Sequence, residues 1–346
     1  MLERGHQVTI VCDPSSNIYR VSKEMGIPTI GLPIRKRTIG AFFEIRSWLS
    51  KHSQEFDVIN THSSTDSWLL GVGNLMLGRP LPLVRTRHVS TQIHNNFGSR
   101  FLYCRLTDFM VTTGEKLRLQ INSDNGIPLD LMKSVRTGID LDRYHPDNKQ
   151  QARTEMGLPE KNTVGILATL RSWKGHSYLL DAWSALLKKF PQWQLLIVGD
   201  GPQMDNLRKQ SSTLGISDSV IFAGNQHNAE KWLQAMDVFT LPSYGNEGVP
   251  QGIMQAMATG LPVVTTNVGA IEEIVSEENG LIVTPKNTQE LTIALQAIME
   301  DESLRQKKGH CALESSKDFS LEKMLDQMEN VFRKTIDRVK AHGNAE

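Results

Sequence analysis

The stretch VFTLPSYGNEGVPQGIMQAMATGLPVVT, residues 238–265, decides the fold. Val238–Leu241 is apolar, of strand length and rich in residues that favour strands. Ser243–Val249 follows as a glycine-containing polar loop. A helix is expected from near Pro250, a favoured first helical residue, to Thr259. Pro262–Thr265 then returns to strand character. Strand, helix and strand in this order read as one parallel βαβ unit. The loop would deliver the Glu247 carboxylate and the backbone N–H groups of Gly248 and Val249 to the positive end of a helix dipole, a geometry that binds phosphate. Gln251 and Gln255 are four apart and share a helix face. An acid in the loop and amides in the helix could thus grip one sugar-nucleotide. A plain strand–loop–helix turn with an incidental acid has the same spacing.

The same rhythm extends outward in both directions. In the C-terminal half, Val164–Leu167, Gln194–Val198 and Val220–Phe222 read as strands. Ser177–Phe190, Ala229–Ala235, Glu290–Met299 and Leu321–Val339 read as helices. In the N-terminal half, strands are expected at Gln7–Cys12, Val58–Asn60, Leu83–Thr86 and Phe109–Thr112, with helices at Ile39–Lys51 and Asp66–Leu77. Alternation of this kind implies an α/β chain of two Rossmann-like, doubly wound domains. A polar connector near Asp140–Gln151 separates an N-terminal domain, 1–145, from a C-terminal domain, 152–318. The final segment, 319–346, carries a helical apolar stripe (Leu321, Met324, Leu325, Met328, Val331, Phe332, Ile336). Met1–Arg4 reads as the end of a helix capped by Gly5. A doubly wound domain opens with a strand and a glycine-rich turn. The first domain is therefore expected to lack its first strand, with residues missing upstream or another segment filling the gap.

Composition sets the bounds. A chain of 346 residues, 39% hydrophobic and 22% charged, suits two soluble globular domains. Net charge is zero, but residues 1–150 hold 19 Lys+Arg against 14 Asp+Glu, leaving 19 against 24 in the remainder. The basic half favours an acidic acceptor or an anionic membrane surface, although five charges spread over a domain also carry little weight. Three widely spaced cysteines suggest neither a metal site nor a disulfide framework, so a reducing compartment is expected. The uncharged run Gly248–Ile271 is broken by glycine and proline and does not read as a membrane span.

Two further groups carry chemistry. Ala168–Gly175 lies between a strand and a helix, and its Arg171 and Lys174 suit diphosphate oxygens. A solvated basic loop is the plainer alternative. His62 and His88 each stand at the C-terminal end of an expected strand, where open α/β sheets bind ligands. Most lone histidines are structural or merely exposed.

Taken together, these segments resemble glycosyltransferase family 4. The resemblance runs from Arg4-Gly5-His6 through Asp57–His62, Thr137–Asp140, Tyr144-His145-Pro146, Lys174-Gly175, Val198–Pro202, Phe222-Ala223-Gly224 and Ala235–Phe239, and is most specific over Glu247–Val264. It implies a GT-B architecture, two Rossmann-like domains facing a cleft, with the donor held mainly by the second and the acceptor by the first. The family's paired glutamates would fall on Glu247 and Gln255. Glutamine at the second position keeps a carbonyl acceptor and gains donors, but loses a charge-assisted bond. Lys174 matches the diphosphate lysine, and Thr169 stands where the family has an arginine, leaving Arg171 as a neighbouring candidate. His88 matches the acceptor-side histidine.

The resemblance implies a retaining transferase needing no cofactor or bound metal, with Glu247, His88 and Lys174 as catalytic residues. Arg171, Lys174, Gly199, Gly248, Val249, Pro250, Gln251 and Gln255 would hold a nucleotide-diphosphate sugar. The acceptor would be a glycan or a lipid-linked molecule of the cell envelope, and no nucleic acid is expected as a partner. A cytoplasmic location follows, with peripheral contact at the inner face of the membrane, and the last helix packing back onto the first domain. A nucleotide-sugar epimerase on the same fold and an inactive nucleotide-sugar-binding module are the alternatives.

Overall fold

The structure, a computed structural model, describes residues 1–88, 93–245 and 247–343. The chain forms two compact units. The first takes Met1–Val135 and the chain from Leu325 onward; the second takes Arg136–Met324.

The first unit contains strands β1 (Ile10–Cys12), β2 (Thr29–Gly31), β3 (Ile59–Thr61), β4 (Leu83–Arg87), β5 (Phe109–Thr112) and β6 (Met132–Ser134). Its helices are α1 (Asn17–Glu24), α2 (Ile39–His52), α3 (Ser64–Met76), α4 (Phe97–Phe101) and α5 (Glu115–Asn125). All strand pairs are parallel, but they fall into two sheets: β1-β2 and β3-β4-β5-β6. No ladder among the described residues joins β1 to β3. Both sheets nevertheless rest on one apolar cluster, in which Ile45 and Leu49 of α2 and Leu69 and Leu70 of α3 meet Leu32, Leu83, Val11 and Ile59. The strand expected over Gln7–Cys12 shortens to Ile10–Cys12, because its partner β2 offers only three residues for pairing. Gly5 does adopt the left-handed cap, φ 83°, after a short 3₁₀ turn.

The second unit contains β7 (Asn162–Leu167), β8 (Trp193–Val198), β9 (Val220–Gly224), β10 (Val238–Leu241), β11 (Val263–Thr266) and β12 (Gly280–Val283). They form one parallel sheet in the order β12-β11-β10-β7-β8-β9. This is the two-halved order of a dinucleotide-binding fold. Its helices are α6 (Lys149–Glu155), α7 (His176–Leu187), α8 (Met204–Thr213), α9 (Ala229–Gln234), α10 (Gln251–Ala258), α11 (Thr288–Glu300) and α12 (Glu302–Ser316). They enclose a core in which Trp183, Trp193 and Phe239 are fully buried. The strands are near-continuous apolar runs because helices cover both faces of a parallel sheet.

The stretch after Val135 goes with this unit. Ile139 N–H donates to the Phe319 carbonyl at 2.8 Å, and Leu321 N–H returns to the Ile139 carbonyl at 2.8 Å. Helix α13 (Leu321–Gly343) begins in the second unit and runs on into the first. Within the first unit it buries Met328, Val331 and Thr335. There Arg4 Nη1 reaches Asp326 at 2.7 Å and Glu329 at 3.2 Å.

Candidate active site

In the second sheet β7 and β10 are neighbours, yet the chain leaves them in opposite directions, toward β9 and toward β12. Loops after two such strands splay apart and leave a crevice at the strands' C-terminal ends. A cavity of about 680 Å³ opens there. Thr169 and Lys174 line it from the loop after β7, and Gly199, Asp200 and Gly201 from the loop after β8. Asn225 and Gln226 contribute from the loop after β9, and Pro250, Gln251 and Gln255 from the start of α10.

Backbone packing sets the shape of this crevice. Gly175 takes φ 78°, and a Cβ on it would stand 1.9 Å from the Pro242 carbonyl oxygen. Only glycine lets the turn into α7 lie against the end of β10. Gly199 likewise lies so close to the Ala168 carbonyl that an added Cβ would stand 2.1 Å away. Tyr244 N–H donates to the Trp173 carbonyl at 2.8 Å, joining the two loops directly.

Lys174 Nζ donates to Glu247 Oε1 at 2.7 Å, and Ser243 Oγ donates to the same oxygen at 2.6 Å. Glu247 is 5% exposed and stands behind the cavity wall formed by Lys174. One residue beyond the Lys174-Gly175 turn, His176 is buried at the start of α7. Burial, then the neighbouring Lys174 charge, pushes its imidazole down to about 3. Neither ring nitrogen has a hydrogen-bond partner among the described residues.

The expected residues therefore divide. Lys174, Gly199, Pro250, Gln251 and Gln255 share one cavity. Gly248 and Val249 do not line it; the Gly248 carbonyl instead accepts from Ala270 N–H at 3.3 Å. Arg171 is exposed, with its guanidinium 5.6 Å over the Trp173 ring, and is not among the lining residues. Thr169 stands at the wall instead. Pro250 is the N-cap in extended conformation, ψ 121°, and the helix starts at Gln251, a correction to its expected place as first helical residue. Proline fits there because its ring fixes φ and it has no N–H to leave unpaired. The sequence assigns no site role to Asn225, Gln226 or Asp200, although Val198–Pro202 and Phe222-Ala223-Gly224 mark the turns that present them.

His88 belongs to the first unit. It follows β4, and its Nε2 lies 2.9 Å from Nδ1 of His62, which follows β3. Burial lowers both imidazole pKa values, and the His88 charge lowers that of His62 further. Among the described residues no three His, Cys, Asp or Glu side chains stand together as a metal cage. No described helix is long and apolar enough to cross a membrane.

Comparison with known proteins agrees over both units. A family profile described as Glycosyltransferase Family 4 matches residues 1–143, and one described as Glycosyl transferases group 1 matches residues 161–301. The chain is 32% identical to a lipopolysaccharide core biosynthesis mannosyltransferase of Rhizobium meliloti, over 65% of this chain and 64% of that one. It thus spans just under two thirds of that relative's length. It is 30% identical to a D-inositol 3-phosphate glycosyltransferase of Corynebacterium efficiens, over 80% of this chain and 71% of that one. A crystal structure of Anabaena HepE in complex with UDP superposes with a TM-score of 0.83, covering 94% of this chain and 92% of that one. At 20% identity this last likeness is one of fold.

Proposed function

The chain belongs to glycosyltransferase family 4, the group 1 glycosyl transferases with a GT-B fold, and from that premise we propose that it moves a sugar from a nucleotide diphosphate to a glycan or lipid-linked acceptor of the cell envelope, with retention at the anomeric carbon. That it is a glycosyltransferase follows from the family. Donor, stereochemistry and acceptor go beyond what membership of the family gives. The crevice at the strand switch point, where Lys174, Gln251 and Gln255 converge with Glu247 bonded behind, carries it.

In this reading the diphosphate lies against Lys174 and the first turn of α10. A fixed ammonium and a helix N-terminus there stabilise the charge that grows on the departing phosphate. Gln255 meets ribose hydroxyls through an amide that both donates and accepts. Glu247 holds the Lys174 ammonium in place from behind the wall. The bond from the anomeric carbon to the phosphate oxygen breaks as the acceptor oxygen attacks the same face. The departing phosphate oxygen takes the acceptor's proton, so no protein nucleophile is needed. The names of the relatives, a lipopolysaccharide core mannosyltransferase and an inositol-phosphate glycosyltransferase, support an envelope or phosphorylated acceptor. The basic first half is in keeping with contact at an anionic membrane face.

The test is a donor screen by calorimetry with nucleotide diphosphates, followed by product analysis. Binding of a nucleoside diphosphate is expected to weaken in Lys174→Ala. Glu247→Gln is expected to lower kcat by roughly 10²-fold, as loss of one preorganised group at a reacting centre does. Gln255→Glu should tighten the donor. Absence of binding by every nucleoside diphosphate, or a covalent sugar trapped on a side chain, would overturn the reading.

A further inference from the structure

One polar pair in the first unit has no part in the mechanism above. His62 and His88 follow adjacent parallel strands, β3 and β4, and their rings share a hydrogen between Nδ1 of His62 and Nε2 of His88 at 2.9 Å. The ring planes are 14° apart. This contact is the only hydrogen bond either ring makes among the described residues, which leaves Nε2 of His62 and Nδ1 of His88 open to a ligand. A single proton lies on the line between the rings, so the tautomer of one fixes that of the other.

His62 is itself held rigidly. Its backbone N–H donates to Asp66 Oδ2 at 3.0 Å, and Asp66 closes the capping box of α3 with Ser63. Arg85 Nη1 donates to the Ser63 carbonyl at 3.2 Å. The ring of His62 is therefore carried on a turn fixed from three sides.

We propose that His62 is a positioning residue: it holds the His88 imidazole in one orientation and one tautomer, so that His88 Nδ1 meets a hydroxyl of the acceptor. This rests on the reading of the first unit as the acceptor side. The chemistry parallels the orienting partner of any functional histidine, whose loss typically costs about 10- to 100-fold. The charged group acting on the pair is Asp66 on α3, which bears on His62, while Arg85 on β4 bonds the Ser63 carbonyl beside it and Arg87 bonds the Tyr103 hydroxyl. Both rings are neutral at neutral pH because burial depresses them. Acidification protonates the pair, and an activity that needs a bare His88 nitrogen falls as it does.

The experiment compares His62→Ala, His62→Asn, His88→Ala and the double alanine variant in the intact protein. Nitrogen chemical shifts of ¹⁵N-histidine-labelled protein report the tautomer without reference to activity. In His62→Ala, the His88 shifts should move to a tautomer mixture. Acceptor kcat/KM should fall about tenfold with the donor KM unchanged. The acid limb of the pH profile should move up toward the ordinary imidazole value. Asparagine, whose amide stands near the place of Nδ1, should restore most of the rate. The double variant should be no worse than His88→Ala alone. An unchanged His88 tautomer in His62→Ala, or multiplying kinetic losses, would overturn the positioning role. Full activity in His88→Ala would instead overturn the acceptor-side reading.

Discussion

At the scale of single residues, His176 gives a titration that can be measured. Its imidazole is buried and its folded-state value is about 3, against an ordinary value of about 6.5 in the unfolded chain. The unfolded state therefore binds the proton more readily. The neutral ring's contribution is fully present above about pH 6.5 and is lost as pH falls toward 3. Between pH 7 and pH 5 this one group should cost about 2 kcal/mol of stability. Urea unfolding at both pH values should show His176→Leu losing about that much less than the parent chain; equal losses would mean that the ring is not buried in solution.

Elements show where the sequence is transparent and where it is opaque. The turn from β7 into α7 can be tested directly. Gly175→Ala places a Cβ into the Pro242 carbonyl and forces a positive φ on alanine. A loss of at least about 2 kcal/mol, and weakened donor binding, are expected. Gly157→Ala shares the positive φ but meets open space, so it should cost only the conformational part, about 1 kcal/mol. Thermal melts of the two variants make the comparison. Strands β7 to β11 of the second unit stand out in the sequence because burial on both faces makes them near-continuous apolar runs. Helix α12 does not. It buries Lys308, Gly309, Ala312 and Ser316, a helical stripe of small and polar residues with no apolar periodicity. Gly309 lies so close to the Gly260 carbonyl that an added Cβ would stand 2.4 Å from it, and Lys308 Nζ donates to the Glu277 carbonyl. Strands β2, β6 and β12 are too short or too mixed to stand out. Lys174 and Gln255, expected at the site chiefly through the family resemblance, do line one cavity, whereas Glu247 touches it only through Lys174. The meeting of His62 with His88 was not legible, since only the β3–β4 pairing brings together residues 26 positions apart.

At the scale of the whole molecule, helix α13 carries the chain from the second unit back into the first. Val331 is 2% exposed within the first unit. Val331→Asp buries an unpaired carboxylate and should cost about 3 kcal/mol or more, read as a lowered first transition in calorimetry. An unshifted melt would mean that the C-terminal helix does not dock. The crevice at the strand switch point of the second unit has a different character. Its rims are stitched by main-chain contacts: Tyr244 to Trp173, Ala270 to Gly248, Leu170 N–H to the Asp200 carbonyl at 2.9 Å and Gln203 N–H to the Leu170 carbonyl at 3.1 Å. A frame built that way does not depend on the identity of the side chains that furnish it. Thr169, Asn225, Gln226 and Gln255 can be exchanged over evolutionary time like teeth in a fixed jaw, so that a new preference for base or sugar can arise by point replacement while the architecture stays as it is.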